Sequence, residues 1–175
     1  MKLGILLSGG KDSLYAAYLA KKEKYKISCL ISIFSDNKES YMFHTPSIEQ
    51  VKKQAEVMKI PLVIIKTKGE KEKELIDLRN AITQGIQEYQ IEGLVSGAIE
   101  SVYQSSRIQK ICNDLTIECF NPLWQKDPLD HLCDLLHNKF EVIITGVYAY
   151  PFDKSWLGSP IDKEFIEEIK KLLEK

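Results

Sequence analysis

The chain has 175 residues, of which 44% are hydrophobic and 28% are charged, as is typical of one soluble globular domain with a substantial core. A net charge of −1 gives no overall attraction to nucleic acid or to an anionic membrane. No apolar run approaches the roughly 20 residues that a membrane-spanning helix requires, so an integral membrane function is excluded.

The first predicted element is a strand over the apolar run Leu3–Leu7, and a helical pattern begins near Leu14. Between them lie two adjacent glycines and several polar residues. Glycine lets the backbone adopt positive φ and approach a ligand closely, and a helix N-terminus adds N–H donors and partial positive charge. We therefore predict an anion-binding loop, with an ordinary Ser N-cap as the alternative. Its residues are Ser8, Gly9, Gly10, Lys11, Asp12 and Ser13.

Two side chains in this loop carry opposite charge. Lys11 adds a full positive charge to a phosphate site, whereas Asp12 would repel phosphate unless it holds a cation. We therefore predict that Asp12 contacts Mg²⁺. The spacing of the loop matches neither the Walker loop nor the dinucleotide-binding fingerprint.

The elements that follow alternate between strands and helices. Further strands are predicted at 27–34, 61–65, 94–95, 116–120 and 142–145, and further helices at 46–58, 75–86, 101–115, 129–136 and 165–173. The charged run 66–74 is predicted to be a solvated loop that leads into a helix. This alternation predicts an α/β fold with a doubly wound parallel sheet, in a single domain over 1–175.

Ligands of such sheets bind beyond the carboxyl ends of the strands, where the strand order reverses. If the first strand lies beside the strand at 94–95, Ser8–Ser13 faces Ser96–Ala98 across that crevice. The sequence therefore predicts one site between these two segments.

The segment Gly97–Arg107 is unusually polar and aromatic for a strand-to-helix junction. Tyr103 and Arg107 are one helical turn apart, with Gln104 adjacent. Arg107 is predicted to pair with a phosphate or a substrate carboxylate, with a surface salt bridge as the alternative. His44, in an aromatic loop, is predicted either to contact substrate or to hold that loop in place.

The four cysteines are scattered through apolar patterns and form no Cys-x-x-Cys pair. We therefore predict buried, reduced thiols and a cytoplasmic location. The N-terminus enters a strand directly, which does not fit a cleaved signal peptide.

The Ser-Gly-Gly-x-Asp-Ser sequence at Ser8–Ser13 resembles the loop of the N-type ATP pyrophosphatases. Gly97–Arg107 resembles the second motif of one family among them, the diphthine–ammonia ligases. Three further stretches resemble motifs of that family in the same order, at Met42–Thr45, Pro122–Pro128 and Trp156–Asp162. The resemblance implies a Rossmann-like fold of the adenine nucleotide alpha hydrolase-like (HUP) type.

The family makes diphthamide from diphthine on translation elongation factor 2, using ATP and ammonium and releasing AMP and pyrophosphate. The resemblance implies that ATP and Mg²⁺ are the cofactors, that Ser8–Ser13 binds pyrophosphate, and that Lys11, Asp12 and Arg107 act in catalysis. Adenine in related folds lies against the end of the second strand. The remaining implied contacts to nucleotide or substrate are at Ile31, Ser32, Ile33, His44, Gly97, Tyr103, Gln104 and Arg107.

Two features depart from the family pattern. Members usually have Arg after Leu-Gly, where this chain has Ser159, and the chain lacks a Gly-Glu-x-Gly-Glu-x-His-Thr segment. We therefore expect the usual C-terminal segment of the family to be absent. The alternatives are a related enzyme with another acceptor, such as tRNA, and a non-catalytic nucleotide-binding protein. A homo-oligomer is left open, and no membrane partner or strong nucleic-acid signal is predicted.

Overall fold

The computed structural model describes residues 1–37, 42, 48–148 and 150–173. The chain divides into two compact units, Met1–Gln125 and Lys126–Lys175, a division that the hydrophobic pattern did not indicate. Within the described residues, no helix combines the length and the apolar character needed to cross a bilayer.

The first unit contains a parallel sheet and the helices that connect its strands. The strands are β1 (Lys2–Leu6), β2 (Lys26–Ser35), β3 (Leu62–Thr67), β4 (Gly93–Val95) and β5 (Glu118–Phe120). The helices of this unit are α1 (Lys11–Lys22), α2 (Ile48–Met58), α3 (Glu74–Tyr89) and α4 (Val102–Asp114). The predicted order of strands and helices is confirmed as far as β5.

The sheet has the strand order β3-β2-β1-β4-β5, and all of its pairings are parallel. The predicted pairing of β1 with β4 is confirmed, with Ile5 opposite Val95. The strand order reverses at β1, so the carboxyl ends of β1 and β4 border the crevice where ligands of such sheets bind. The doubly wound, Rossmann-like parallel sheet predicted from the sequence is therefore the observed fold.

Packing against β2 explains why α3 continues through a glycine. Leu78 and Ile82, on the predicted apolar stripe, are fully buried. A Cβ built on Gly85 would lie 3.1 Å from Cδ1 of Ile31 and 3.0 Å from Cδ1 of Ile91. The absent side chain lets the helix lie close to the sheet, and this packing outweighs the low helix propensity of glycine.

The second unit contains α5 (Pro128–His137), a 3₁₀ turn (Lys154–Trp156) and α6 (Lys163–Leu173). The ring of Trp156 packs edge-on against Phe152 and Phe165, at centroid distances of 5.1 and 5.6 Å. Ile166 is buried, whereas Leu173, predicted to share the apolar side of α6, is 70% exposed.

The predicted sixth strand, Val142–Thr145, is wrong. Ile143 forms only an isolated antiparallel bridge with Pro160, and its side chain is 60% exposed. The N–H of Ile144 donates to the carbonyl of Ser159 at 3.0 Å. On the other side of the bridge, the N–H of Ile161 donates to the carbonyl of Val142 at 2.8 Å, so Pro160 lies at a position of the pair that needs no N–H. The run Val142–Thr145 is therefore apolar in composition but is not a buried strand.

Two smaller predictions also fail in part. The charged run 66–74 is not solvated throughout, because Thr67 belongs to β3 and Glu74 is fully buried at the start of α3. Among the cysteines, Cys29 and Cys112 are buried as predicted, but Cys133 is exposed. Burial raises the pKa of the Cys29 thiol to about 12, which keeps that thiol protonated near neutral pH.

Candidate functional site

The glycine loop, defined here as Ser8–Ser13, connects β1 to the first turn of α1. Gly9 has a φ of 81°, in the left-handed region that disfavours side chains. Gly10 is the N-cap of α1 and has extended backbone, so the alternative of an ordinary Ser N-cap is not what the structure has. The positive end of α1 therefore stands beside the carboxyl end of β1.

The two serines of the loop bind each other. The hydroxyl of Ser13 accepts hydrogen bonds from the backbone N–H of Ser8 at 3.2 Å and from the hydroxyl of Ser8 at 3.1 Å. It donates to the carbonyl of Gly10 at 3.0 Å, and the Ser13 side chain is buried. The Ser13 hydroxyl therefore closes the loop upon itself, while Ser8 is exposed at its rim.

Lys11 and Asp12 form an ion pair within the loop. Nζ of Lys11 lies 2.8 Å from Oδ1 and 3.0 Å from Oδ2 of Asp12. The two side chains are 31% and 33% exposed, so solvent and ligands can reach both charges. No group of three or more His, Cys, Asp or Glu side chains is arranged to hold a metal in the part of the chain that the structure describes. A single carboxylate nevertheless fits the way Mg²⁺ binds when phosphate oxygens and water supply its other ligands.

Gly97 forms the opposite wall, directly after β4. A Cβ built on it would lie 2.8 Å from the backbone nitrogen of Ser13 and 2.9 Å from the carbonyl carbon of Asp12. Nearby, the hydroxyl of Ser96 accepts a hydrogen bond from the N–H of Ala98 at 3.1 Å, which fixes the turn out of the strand. The structure thus brings together the two segments that the sequence predicted to face each other.

A pocket of about 270 Å³ opens between these walls. One side is apolar, and the other combines the glycine loop with the turn after β4. The apolar lining is Leu6, Leu7, Ile31, Ile33, Met42 and Ile108, and the remaining lining is Ser8, Asp12, Ser13, Ser96, Gly97, Ala98, Ile99, Glu100, Ser101 and Gln104. An apolar pocket with a few convergent polar groups is the usual form of a small-molecule site.

The end of β2 contributes two of its three predicted residues to this pocket. Ile31 and Ile33 line it, whereas Ser32 points to the other face because side chains alternate along a strand. The buried hydroxyl of Ser32 donates to the carbonyl of Leu7 at 2.6 Å. Ser32 therefore supports the backbone that leads into the glycine loop.

Of the predicted site residues in the first turns of α4, some line the pocket and others lie outside its lining. Gln104 lines the pocket, and its side-chain amide donates to the carbonyl of Met42 at 3.1 Å. Arg107 is not among the described lining residues. Its guanidinium carbon lies 3.8 Å from the centroid of the Tyr103 ring, in a cation–π arrangement.

Glu72, which sequence reasoning missed, anchors this pair. One oxygen of Glu72, Oε1, accepts hydrogen bonds from Nη2 of Arg107 at 2.7 Å, from Nε of Arg107 at 3.2 Å and from the Tyr103 hydroxyl at 3.0 Å. These bonds, above all that from Arg107, lower the pKa of the Glu72 carboxyl. Glu72 also has a φ of 66°, an uncommon conformation for a residue with a side chain.

Two other residues bear on the site. Gln54, on α2, donates to the carbonyl of Gly9 at 3.0 Å and was also missed, since a lone glutamine in an amphipathic helix carries no sequence signal. His44 lies outside the described residues, so the prediction about its role is not tested.

Two protein-family models match consecutive parts of the chain. The model of the diphthamide synthase N-terminal domain matches residues 1–119, and that of the diphthamide synthase C-terminal domain matches residues 127–175. These matches do not test the prediction that the usual C-terminal segment of the family is absent.

Curated relatives carry the same function name. The diphthine–ammonia ligase of Bos taurus is 28% identical over 93% of this chain and 68% of its own length. That of Rattus norvegicus is 29% identical over 87% of this chain and 64% of its own length. The protein of that name from Saccharomyces cerevisiae is matched over only 30% of its length. The chain thus spans about two thirds of the mammalian relatives, and less of the yeast protein.

Two solved structures share the fold over nearly the whole chain. A predicted subunit of a tRNA methyltransferase from Methanocaldococcus jannaschii has a TM-score of 0.51 at 22% identity, covering 100% of this chain and 89% of that one. A U34-tRNA thiolase from Methanococcus maripaludis also has a TM-score of 0.51, at 20% identity, covering 99% of this chain and 65% of that one. At these identities the similarity establishes the fold alone.

Proposed function

This chain belongs to the diphthamide synthase family, and on that premise we propose that it is an ATP-dependent, amide-forming ligase. The proposed reaction activates a substrate carboxylate as an acyl-adenylate, with release of pyrophosphate, and ammonia then displaces AMP. The proposed acceptor is diphthine on translation elongation factor 2. The curated relatives named diphthine–ammonia ligase support diphthine as the group that is amidated and ammonia as the nitrogen source.

The observation that carries the proposal is the pocket between the glycine loop and Gly97. Backbone N–H groups at the start of α1, together with the charge of Lys11, favour the pyrophosphate end of ATP. The apolar side, at Ile31 and Ile33, suits an adenine ring. In the proposed binding mode, the α-phosphorus of ATP would lie between the loop and the turn after β4, where a carboxylate could attack it.

Positioning and charge account for most of the proposed chemistry. Pyrophosphate and AMP are good leaving groups, so the reaction needs little help from acids and bases. Asp12 would hold Mg²⁺, which when bound neutralises charge on the departing pyrophosphate. The positive charge of Lys11 would help to neutralise the same pyrophosphate, and Gln104, which lines the pocket, would orient the ligand.

Product analysis tests the proposal. The protein is incubated with ATP, Mg²⁺, ammonium and elongation factor 2 that carries diphthine, and each component is omitted in turn. We expect AMP and pyrophosphate in equal amounts, and a mass change of the acceptor that matches replacement of a carboxylate by an amide. Formation of ADP would overturn the proposed attack on the α-phosphorus, and tight ATP binding without turnover would indicate a nucleotide-binding protein. AMP formation with another acceptor, such as tRNA, would keep the activation chemistry and reject diphthine.

A further inference from the structure

The peptide unit between Gly9 and Gly10 is the least constrained part of the glycine loop. Both of its flanking residues lack a Cβ, so rotation of this peptide meets less steric hindrance than rotation of any neighbouring one. The carbonyl oxygen and the N–H of a trans peptide point in opposite directions. Rotation by half a turn would therefore exchange a donor for an acceptor on the side where an anion binds.

Contacts from outside and inside the loop hold this peptide in one orientation. The side-chain amide of Gln54 donates to the carbonyl of Gly9 at 3.0 Å, across 45 positions of the sequence. On the other side, the N–H of Gly10 lies 3.4 Å from the hydroxyl of Ser8. Gln54 is not among the described residues that line the pocket, whereas Ser8 is. The carbonyl is thus held toward α2, and the N–H is directed toward the rim of the pocket.

The surroundings of Gln54 indicate that this contact is more than incidental. Val51, one turn earlier on the same helix, is fully buried, and Ala55 is 5% exposed, so this side of α2 packs into the protein. Oε1 of Gln54 is enclosed and has no hydrogen-bond partner among the described residues. Among the described groups this amide satisfies only its donor, and an enclosed oxygen without a donor lowers stability. The contribution of this side chain therefore lies in the bond that its amide donates to the Gly9 carbonyl.

We propose that Gln54 is the positioning residue of the glycine loop, and that its amide keeps the Gly9–Gly10 peptide in the orientation that binds the pyrophosphate end of ATP. This proposal rests on the proposed function, because it takes ATP as the ligand of the loop. It goes further in assigning the conformation of the loop to a residue on another helix.

Three variants separate the hydrogen bond from other effects. Gln54→Met removes the amide but keeps the length of the side chain, and Gln54→Glu keeps its shape but offers no donor at neutral pH. Gln50→Met, one turn earlier on α2 at an exposed position, is the matched control. For each protein, calorimetry measures the Kd of ATP and of AMP with Mg²⁺ present, and thermal unfolding reports the fold.

We expect the Kd of ATP to rise about five- to tenfold in both Gln54 variants, as for the loss of one hydrogen bond, while that of AMP changes less than about twofold. The control should match the wild type for both ligands. A parallel rise for ATP and AMP would indicate general damage and overturn the proposal. If the ratio of the Kd of ATP to the Kd of AMP in Gln54→Glu equalled that of the wild type, the proposal would also be overturned, because the side-chain amide would then be dispensable.

Hydrogen exchange at the Gly10 amide tests the orientation without any nucleotide. Exchange should become faster in Gln54→Met and remain unchanged in Gln50→Met, since only the first variant releases the peptide. Unchanged exchange in Gln54→Met overturns the positioning role. If instead the wild type binds ATP no better than AMP while exchange responds as expected, the proposed function fails and the structural role of Gln54 stands.

Discussion

A Cβ on Gly97 would lie 2.8 Å from the backbone nitrogen of Ser13, closer than such atoms approach each other in proteins. The neighbouring atoms are backbone atoms of the glycine loop, so no flexible side chain can move aside. We expect Gly97→Ala to lower the free energy of unfolding by about 1–3 kcal/mol, as in other overpacked sites. Because the displaced backbone belongs to the loop, ATP affinity should fall as well. Urea denaturation and calorimetry measure the two effects.

Gly10→Ala is the matched control for crowding. Among the described residues, a Cβ at Gly10 would meet only the hydroxyl of Ser8, at 3.5 Å, which is an ordinary contact. Gly10→Ala should lose less stability than Gly97→Ala, because it causes no clash and its expected cost is the exchange of one N-cap residue for a poorer one. Equal losses in the two variants would show that the approach of Gly97 to α1 does not constrain the loop.

The Asp12 carboxylate gives a second prediction. Asp12→Asn should reduce AMP formation at least about 100-fold, because the proposed Mg²⁺ ligand and its charge are lost. The thermal midpoint should barely change, since the ion pair with Lys11 is partly exposed and such pairs contribute little to stability. Asp114→Asn is the control, because Asp114 also pairs with a basic residue, Arg79, at 3.0 Å. Full activity in Asp12→Asn would remove Asp12 from the metal role.

The Ser32 hydroxyl gives a third prediction, which separates support of the backbone from ligand binding. Ser32→Ala leaves the carbonyl of Leu7 without its buried 2.6 Å donor. We expect the free energy of unfolding to fall by about 1–2 kcal/mol, and the Kd of ATP to stay within about twofold. Urea denaturation and calorimetry again provide the measurements. A large loss of affinity with unchanged stability would instead place this hydroxyl at the nucleotide, as the resemblance first implied.

The parts of the fold that the sequence predicted well are those with strong local signals. β2 is a dense apolar run, and α3 has a regular apolar stripe, so both elements lie close to where they were expected. The pairing of β1 with β4, which the sequence analysis supposed for a doubly wound sheet, is observed. With that pairing, the glycine loop lies opposite Gly97, as the sequence predicts.

The parts that could not be predicted depend on partners distant in the chain. Val142–Thr145 has the composition of a strand, but its backbone pairs with a segment that contains Pro160. Glu72 belongs to a run of alternating charges, and nothing in that run distinguishes it from its neighbours before Arg107 is folded beside it. Gln54 likewise acquires a role only when α2 meets the loop. Such contacts are properties of the tertiary structure.

Glu72 occupies the edge of Arg107 that a substrate anion would use. Nε and Nη2 of Arg107 both donate to one oxygen of Glu72, so the bidentate face of the guanidinium is already bound. A phosphate or carboxylate that binds this face must therefore compete with Glu72. The Tyr103 ring, 3.8 Å from the guanidinium carbon, would hold the guanidinium in place during such an exchange.

This competition gives the last prediction. Arg107→Met should raise the KM of the substrate whose phosphate or carboxylate pairs with Arg107 about tenfold or more. Glu72→Gln should lower the same KM, because the competing charge is removed. Steady-state AMP formation measures both, and Glu70→Gln, which alters a carboxylate paired with Lys73, is the control.

The pH dependence of this effect has a definite sign. Hydrogen bonds from Arg107 and Tyr103 lower the pKa of Glu72, so its charge is fully present above the ordinary carboxyl range and is lost only as the pH falls through the lowered value. The ratio of the wild-type KM to that of Glu72→Gln should therefore be greatest near neutral pH and approach one in acid. If Glu72→Gln raised the KM instead, Glu72 would orient Arg107 for the substrate, because removal of a competitor cannot weaken binding.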